Sequence, residues 1–313
     1  MSAAALRAGL EEALGRDVAV LARSPLADAS SFPVERLEVV AGGERLSLVF
    51  KDFSPDSRPG RGTLAKPTLV IDPGREIEAY RQVLGPAAVD APRCHGSIHD
   101  PDGGRFWLFL EHVRGELLWR IGDLEVWEAA ARWLADLHSR AVPADGAGLL
   151  RYDAGWFRTW LPRAADAQGG ASLGRLSARW ERVVDRLSEW PLSLVHGEFY
   201  PSNVLIQQAG SSFRVRPVDW EMTGIGPGLL DLAALTGGDW TEDRRHRVVA
   251  AYFEAWPERL PRPQWQDFAD ALDHCRLHLA VQWAGWLPGW SPPPHHAQDW
   301  PREALSLAGE LGI

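Results

Sequence analysis

A carboxylate, an amide and a second carboxylate follow one another closely in the second half of the chain. Glu198 and Asn203 lie in the segment 194–206, which reads Leu-Val-His-Gly-Glu-Phe-Tyr-Pro-Ser-Asn-Val-Leu-Ile, and Asp219 follows within Val-Asp-Trp-Glu. The apolar residues around these groups predict two strands joined by a tight turn. Magnesium-dependent phosphoryl transfer uses such a set, because one group must orient the attacking hydroxyl and two oxygen ligands must hold the metal.

The elements that must position these groups change type along the chain. Strands are predicted in the first part, over 34–40, 46–53, 93–98 and 105–111. Lys51 lies near the end of the second strand, and a helix with apolar residues on one face is predicted over 73–84, which carries Glu76. We place a domain boundary where the strand pattern ends, giving domains over 1–112 and 113–313.

Helices dominate the second domain. They are predicted at helical spacing over 124–139, 156–167, 173–187, 229–235, 241–256 and 263–286. An antiparallel sheet with one helix, followed by a mainly helical part, is an α+β arrangement of two lobes.

Composition excludes several classes of function. The net charge is −9 without a basic run, so no nucleic-acid partner is expected. No stretch reaches the length of a membrane span, and residues 1–16 lack the features of a signal peptide. Cys94 and Cys275 lie far apart and indicate a reducing compartment. We therefore expect a cytoplasmic protein with no membrane partner.

The spacing from His196 to Asn203, followed by Asp219, resembles the motif of the aminoglycoside phosphotransferase and choline kinase family, a branch of the protein-kinase-like fold. The usual form there is H-G-D-x-x-x-x-N, then I-D-W or I-D-F. The likeness continues through 221–227 and through Asp-Leu-Ala at 231–233. It implies a two-lobed fold with a small, mainly antiparallel N-lobe that binds nucleotide and a larger, mainly helical C-lobe that binds the acceptor.

The resemblance implies a role for each matching residue. Lys51 would contact the α- and β-phosphates and pair with Glu76, while Asn203 and Asp219 would bind Mg²⁺. Simpler explanations exist for three of them: a lysine on an edge strand, a turn asparagine and an aspartate capping a turn. Their matching order favours the functional interpretation. His196 would shape the loop by bonding backbone carbonyls, and the carboxylate of Asp231 would brace it.

Glu198 stands where the resembling motif has aspartate. It would orient the hydroxyl of the acceptor, but its side chain is longer by one methylene, and a placement error of roughly 1 Å can cost about a hundredfold in rate. Either the pocket is set back to suit glutamate, or the base is compromised. The intact lysine and metal ligands favour the first alternative.

Two parts of the nucleotide site are implied by the resemblance alone. Residues 24–33 contain no glycine, and Ser30 and Ser31 would donate N–H and hydroxyl groups to phosphate. A plain connecting loop is the alternative. Residues 109–113 match the hinge between the lobes, where backbone groups of Glu111 and Val113 would pair with the adenine edge.

The residues that would bind the acceptor are less clearly indicated by the sequence. His274, His278 and Gln282 lie on one stripe of a predicted helix, near Trp283, Trp286 and Trp290. They form either a wall that holds a cationic or ring-containing acceptor or ordinary core packing. A zinc site at the two histidines lacks an evident third ligand.

These features predict an ATP- or GTP-dependent and Mg²⁺-dependent small-molecule kinase. It would transfer the γ-phosphate to a hydroxyl of an antibiotic-like or metabolite acceptor. The alternative is a catalytically weak pseudokinase that acts as a nucleotide-binding or regulatory module, motivated by Glu198 and the glycine-free loop. An enzyme that shares the fold but has another chemistry at the same metal site also stays open. A protein substrate is disfavoured, because no A-P-E segment follows Asp219.

Overall fold

The computed structural model describes residues 1–26, 32–57, 67–140, 148–167, 173–286 and 298–313. The chain divides into two compact units, one made of residues 1–115 and 207–221 and the other of 116–206 and 222–313. The boundary that we predicted after residue 112 lies just before the first division. Residues 207–221, which the sequence placed in the second domain, group with the first unit.

The first unit is built on an antiparallel sheet with strand order β1-β2-β3-β5-β4. Its elements are helix α1 (Ala3–Leu14) and strands β1 (Val18–Pro25), β2 (Val34–Ala41), β3 (Glu44–Asp52), β4 (Cys94–Asp100) and β5 (Arg105–Glu111). Strand β1 was not predicted, because it is an edge strand whose side chains are mostly exposed and it shows no clear alternation.

The core of this unit lies between the sheet and α1. Leu48 and Phe50 of β3 pack there with Leu10 of α1 and Phe109 of β5. Successive side chains of a strand point to opposite faces, so this packing turns Lys51 to the other face of the sheet. Helix α2 (Arg75–Glu78), continued by a π-helical turn over Ala79–Leu84, matches the predicted helix.

The second unit is mainly helical. Its helices are α3 (Leu124–Ser139), α4 (Ala154–Ala167), α5 (Trp180–Ser188), α6 (Leu229–Leu235), α7 (Glu242–Glu254), α8 (Trp265–Ala284) and α9 (Trp300–Leu311). Helices α3 and α6 have the predicted bounds, whereas α9 was not predicted. The predicted helix over 173–187 is divided into a 3₁₀ turn (Leu173–Ala178) and α5. Of the helices in the described ranges, none combines the length and the apolar character needed to cross a membrane.

Short strands organise the middle of the second unit. They are β6 (Glu116–Leu117), β7 (Leu150–Arg151), β8 (Leu192–Val195) and β11 (Gly224–Pro227); β9 (Val204–Ala209) begins in this unit and β10 (Ser212–Pro217) belongs to the first. Strand β11 pairs with β7 in parallel and with β8 antiparallel. Strand β9 starts by pairing with β6. The sequence predicted two strands joined by a tight turn around these groups. Strands β9 and β10 are neighbours in one sheet and are joined by a short turn, whereas β8, which precedes residues 196–203, joins a different sheet.

The helix stripe formed by His274, His278 and Gln282 is buried on α8. Nδ1 of His274 donates to the carbonyl oxygen of Asp270 at 2.8 Å, and the ring of His278 packs on Phe157 with centroids 4.9 Å apart. In the described ranges these histidines belong to no group of three metal-ligating side chains. The structure therefore favours core packing over a wall or a zinc site for this stripe.

His278 makes stability depend on pH. Burial lowers its pKa to about 3, whereas an imidazole in an unfolded chain titrates near 6.5. The stability that neutral His278 contributes is therefore fully present above about pH 6.5 and is lost as the pH falls toward 3, because the unfolded chain binds the proton first. His278→Leu should remove a decline of about 1.4 kcal/mol per pH unit, measured by urea unfolding between about pH 6 and 4. Parallel pH profiles for the two proteins would contradict this.

Candidate functional site

Lys51 lies between two carboxylates in the first unit. Its Nζ is 2.8 Å from both carboxylate oxygens of Glu76 and 2.8 Å from Oδ1 of Asp219. The Lys51 side chain is 9% exposed and that of Glu76 1%, so this ammonium is almost removed from water. A buried charge is tolerated only when it is paired and hydrogen-bonded. The ion pair that the resemblance implied between Lys51 and Glu76 is present.

The charges of this cluster shift one another's pKa. Burial alone would lower the pKa of Lys51, but the charges of Asp219 and Glu76 outweigh it and hold the pKa above its usual value. For Glu76 burial is the largest influence and raises the pKa to about 7, with Asp219 acting in the same direction and Lys51 against it. Lys51 therefore stays charged at neutral pH, as a lysine that contacts phosphate must.

The backbone at Asp219 has a left-handed conformation. Its φ of 68° lies in the left-handed region, which a non-glycine residue adopts at a cost of about 1 kcal/mol or more. The next residue, Trp220, is fully buried and donates its backbone N–H to Oε1 of Glu76 at 3.2 Å. Its indole N–H donates to the carbonyl oxygen of Pro217 at 3.1 Å. Glu76 thus holds both Lys51 and the backbone that follows Asp219.

Two buried arginines of the first unit were missed in the sequence. Nη1 of Arg75 donates to the carbonyl oxygens of Val70 (2.9 Å) and Glu221 (3.0 Å). Nη2 of Arg216 donates to the carbonyl oxygen of Ala91 at 2.9 Å and to the side chain of Glu111. Arg75 could have been suspected, because it directly precedes Glu76; no local pattern distinguishes Arg216 from the many other arginines.

Of the segments predicted to bind the base and the phosphates, the structure describes only the first in full. Glu111 ends β5, and its N–H donates to the carbonyl oxygen of Arg93 at 2.8 Å. Burial opposes ionisation of its side chain, but the Arg93 N–H and the Arg216 guanidinium together hold the pKa of Glu111 below its usual value. Val113 is buried just beyond the strand. Ser30 and Ser31 lie outside the described residues.

In the second unit, residues 196–203 form a loop, here called the His-Gly-Glu loop, that follows β8. One buried carboxylate holds its start: Asp231 accepts hydrogen bonds from the backbone N–H of His196 at 2.7 Å and of Gly197 at 2.8 Å. Nε2 of His138 lies 3.3 Å from the same carboxylate. Asp231 braces this loop as expected. Nδ1 of the His196 ring accepts from the N–H of Glu198 at 3.3 Å, so this ring bonds the backbone of the loop.

Glu198 and Asn203 are linked within this loop. The amide nitrogen of Asn203 donates to the carbonyl oxygen of Glu198 at 3.0 Å, and the N–H of Tyr200 donates to the same oxygen at 2.7 Å. Using the amide nitrogen in this way leaves the amide oxygen of Asn203 as its atom for a cation. Glu198 is 7% exposed, so its carboxylate is in a largely dehydrated setting.

Each unit offers oxygen atoms of the kind that a hard divalent cation binds. Asp219 of the first unit has carboxylate oxygens and Asn203 of the second unit has an amide oxygen, and Mg²⁺ prefers such oxygen ligands. Glu221, which the sequence analysis did not select, adds a second carboxylate two positions after Asp219 and is buried, whereas Asp219 is partly exposed.

A cleft of about 1110 Å³ opens in the second unit beside the His-Gly-Glu loop. Six aromatic residues line it, namely Trp119, Trp127, Tyr200, Trp240, Trp283 and Trp300. The indole N–H of Trp283 donates to the hydroxyl of Tyr200 at 2.7 Å, and the Trp283 ring stacks on Trp300 with centroids 5.8 Å apart. Since Tyr200 comes two residues after Glu198, the aromatic wall begins within the loop itself.

Comparisons with known proteins agree with this arrangement. A family model described as the phosphotransferase enzyme family matches residues 34–284. A solved macrolide 2′-phosphotransferase from Brachybacterium faecium is 17% identical with a TM-score of 0.55, covering 97% of both chains. No curated protein matches the sequence significantly.

Two further solved structures are similar to this chain. A microcompartment-associated aminopropanol kinase is 16% identical with a TM-score of 0.61, covering 92% of this chain and 89% of that one. An aminoglycoside 2′-phosphotransferase-IIIa in its GDP complex is 15% identical with a TM-score of 0.61, covering 99% and 98%. These similarities confirm the α+β class: an N-terminal antiparallel sheet followed by a mostly helical part.

Proposed function

Since the chain belongs to the phosphotransferase enzyme family, we propose that it transfers the γ-phosphate of ATP or GTP to a hydroxyl group of a small molecule. The observation that carries this proposal is Lys51, buried and charged between Glu76 and Asp219. A lysine placed in this way can release one carboxylate to contact phosphate oxygens, because the other carboxylate still pairs with its buried positive charge.

Each half of the chemistry has its own residues. Lys51 binds the α- and β-phosphates and Glu76 keeps it in place. Asn203 and Asp219 would hold Mg²⁺, which would supply positive charge to stabilise the phosphoryl group during transfer. The carbonyl oxygen of Glu111 and the N–H of Val113 pair with the base. Ser30 and Ser31 stay predictions for the phosphate loop.

Glu198 acts on the acceptor. Its carboxylate accepts a hydrogen bond from the acceptor hydroxyl and holds the oxygen in line with the γ-phosphorus. The hydrogen bonds from Tyr200 and Asn203 to its carbonyl oxygen restrict the backbone from which the side chain extends. As the oxygen–phosphorus bond forms, the hydroxyl proton passes to Glu198 or to solvent, and the nucleoside diphosphate leaves.

The aromatic cleft supports an antibiotic-like or metabolite acceptor that carries a ring or an amine. Flat aromatic walls bind ring faces by stacking and bind cations through their π-electrons. Charged residues at the cleft have both signs, Asp239, Asp299 and Glu303 against Arg244 and Arg302. Asp299 accepts from the Arg302 N–H and Glu303 accepts from Arg276, so these two carboxylates already have one partner each.

The experiment that tests this proposal is a nucleoside-diphosphate release screen. Mg²⁺ with ATP or GTP is combined with amino sugars, amino alcohols, macrolides, nucleosides and simple sugars, and product mass locates the phosphate. We expect acceptor-dependent release for at least one class, lost when EDTA removes Mg²⁺. Binding of nucleotide without any acceptor-dependent release would instead favour the pseudokinase alternative, for which Glu198 in place of aspartate is the supporting observation.

A further inference from the structure

Tyr152 follows the short strand β7 in the second unit and is 4% exposed. Its backbone N–H donates to the carbonyl oxygen of Ile225 at 3.0 Å, which continues the pairing of β7 with β11. Its phenolic hydroxyl donates to the carbonyl oxygen of Met222 at 2.6 Å. The side chain therefore returns to the segment that enters β11, which directly follows Asp219-Trp220-Glu221 in the sequence.

The same hydroxyl lies against the His-Gly-Glu loop. A Cβ atom added to Gly197 would lie 2.2 Å from the Tyr152 hydroxyl and 2.3 Å from the carbonyl oxygen of Met222. Such distances are far below van der Waals contact, so only glycine fits between His196 and Glu198. Gly197 also has a φ of 83°, in the region that glycine adopts without strain.

Two more glycines make room for the Tyr152 ring. A Cβ at Gly224 would lie 2.5 Å from Cε2 of the ring, and one at Gly226 would lie 2.5 Å from Cβ of Tyr152. Gly224 pairs with Leu150 of β7 on one side and with Val195 of β8 on the other. The ring thus lies across β11 with its hydroxyl at the point where β8 continues into Gly197.

We propose that Tyr152 is a positioning residue for Glu198. Its hydroxyl sets the spacing between the backbone at Gly197 and the backbone at Met222, and so sets the direction in which the Glu198 side chain leaves the loop. Asp231 holds the N–H groups of His196 and Gly197, whereas the atoms nearest to a Cβ at Gly197 belong to Tyr152 and Met222. This inference rests on the proposed function, because it assumes that the Glu198 side chain must be directed toward the acceptor hydroxyl.

The hydroxyl is separable from the packing of the ring. In Tyr152→Phe the ring still covers Gly224 and Gly226. The Met222 carbonyl oxygen loses its hydrogen-bond donor, and the Gly197 backbone loses its contact with the hydroxyl. A matched control is Thr236→Val. It removes another buried hydroxyl, which donates to the Leu232 carbonyl oxygen at 2.7 Å at the end of α6. Both variants lose one buried hydroxyl–carbonyl hydrogen bond.

The test measures steady-state kinetics and amide hydrogen exchange on both variants. For Tyr152→Phe we expect kcat to fall by about tenfold to a hundredfold, since a misplacement near 1 Å has that effect, with KM for the nucleotide within about twofold of wild type. Exchange of the amides at 197–199 should become faster. Thr236→Val should change neither kcat nor that exchange.

The outcomes separate this inference from the proposed function. Unchanged exchange at 197–199 in Tyr152→Phe overturns the inference even if the wild type shows no turnover, which would itself count against the proposed function. Faster exchange with unchanged kcat also overturns it, because the hydroxyl would then restrain the loop without setting the direction of the Glu198 side chain. Equal losses of kcat in Tyr152→Phe and Thr236→Val would show a general loss of stability and overturn it as well.

Discussion

Asp219→Asn is expected to abolish acceptor-dependent release of nucleoside diphosphate while the protein still folds. Asparagine keeps the shape of the side chain and tolerates the left-handed φ of 68°, so the strain at this position does not grow. It removes the negative charge that would bind Mg²⁺. Since charge stabilisation by a bound metal is worth several kcal/mol, we expect turnover to fall roughly a thousandfold or more.

The structure explains why folding should survive this change. Lys51 keeps both hydrogen bonds to Glu76 when the Asp219 charge is lost, so no buried ammonium is left alone. Asp136→Asn is the matched control, because it removes an exposed aspartate that pairs with Arg140, and such pairs contribute about 0–1 kcal/mol. Turnover of Asp219→Asn within about tenfold of the control would refute the role of Asp219 in metal binding.

Glu198→Gln is expected to lower kcat by about a hundredfold to ten-thousandfold, the range over which a positioned acid or base contributes. Glutamine has nearly the same size, so the buried site stays filled, but it cannot take up the hydroxyl proton. KM for the nucleotide should stay near the wild-type value, because Glu198 is proposed to contact the acceptor. The measurement is steady-state kinetics with the acceptor identified in the release screen.

Glu198→Asp distinguishes the two explanations of this unusual residue. If the loop is set back to suit glutamate, shortening the side chain should lower kcat by about a hundredfold. If glutamate compromises the base, the aspartate variant should be faster than wild type. We expect the decrease, because the hydrogen bonds from Tyr200 and Asn203 restrict the Glu198 backbone and the shorter side chain could not advance.

Much of the fold follows from local patterns in the sequence. Strand β5 and helices α3 and α6 have the predicted bounds. Helix α3 buries residues at helical spacing, and β5 and α6 are buried along almost their whole length, so helical spacing or a continuous apolar run marks each of them in the sequence. Strand β1 and helix α9 escaped prediction. Strand β1 is mostly exposed, so its residue types carry little of the pattern from which strands are predicted.

The residues of the candidate site also divide into those that the sequence predicted and those that it did not. Glu198, Asn203 and Asp219 could be selected because their spacing is local, and Lys51 and Glu76 because they follow in the order that the resemblance implies. Arg216 and Tyr152 could not be selected, since their partners at Ala91 and Met222 are far from them in the sequence. No pattern in the residues next to Tyr152 in the sequence indicates its contact with Met222.

The sequence by itself determined which chemical groups are present, in what order, and on which type of element each one lies. Only the tertiary structure decided which further groups meet. It shows that Lys51 contacts Asp219 as well as Glu76, that the Asp231 carboxylate accepts from two amides of the loop, and that three glycines lie against one tyrosine side chain. The physical reason is that a side-chain periodicity reports burial, which is a property of one segment. A hydrogen bond between distant residues depends on how whole elements pack, and no single segment contains that information.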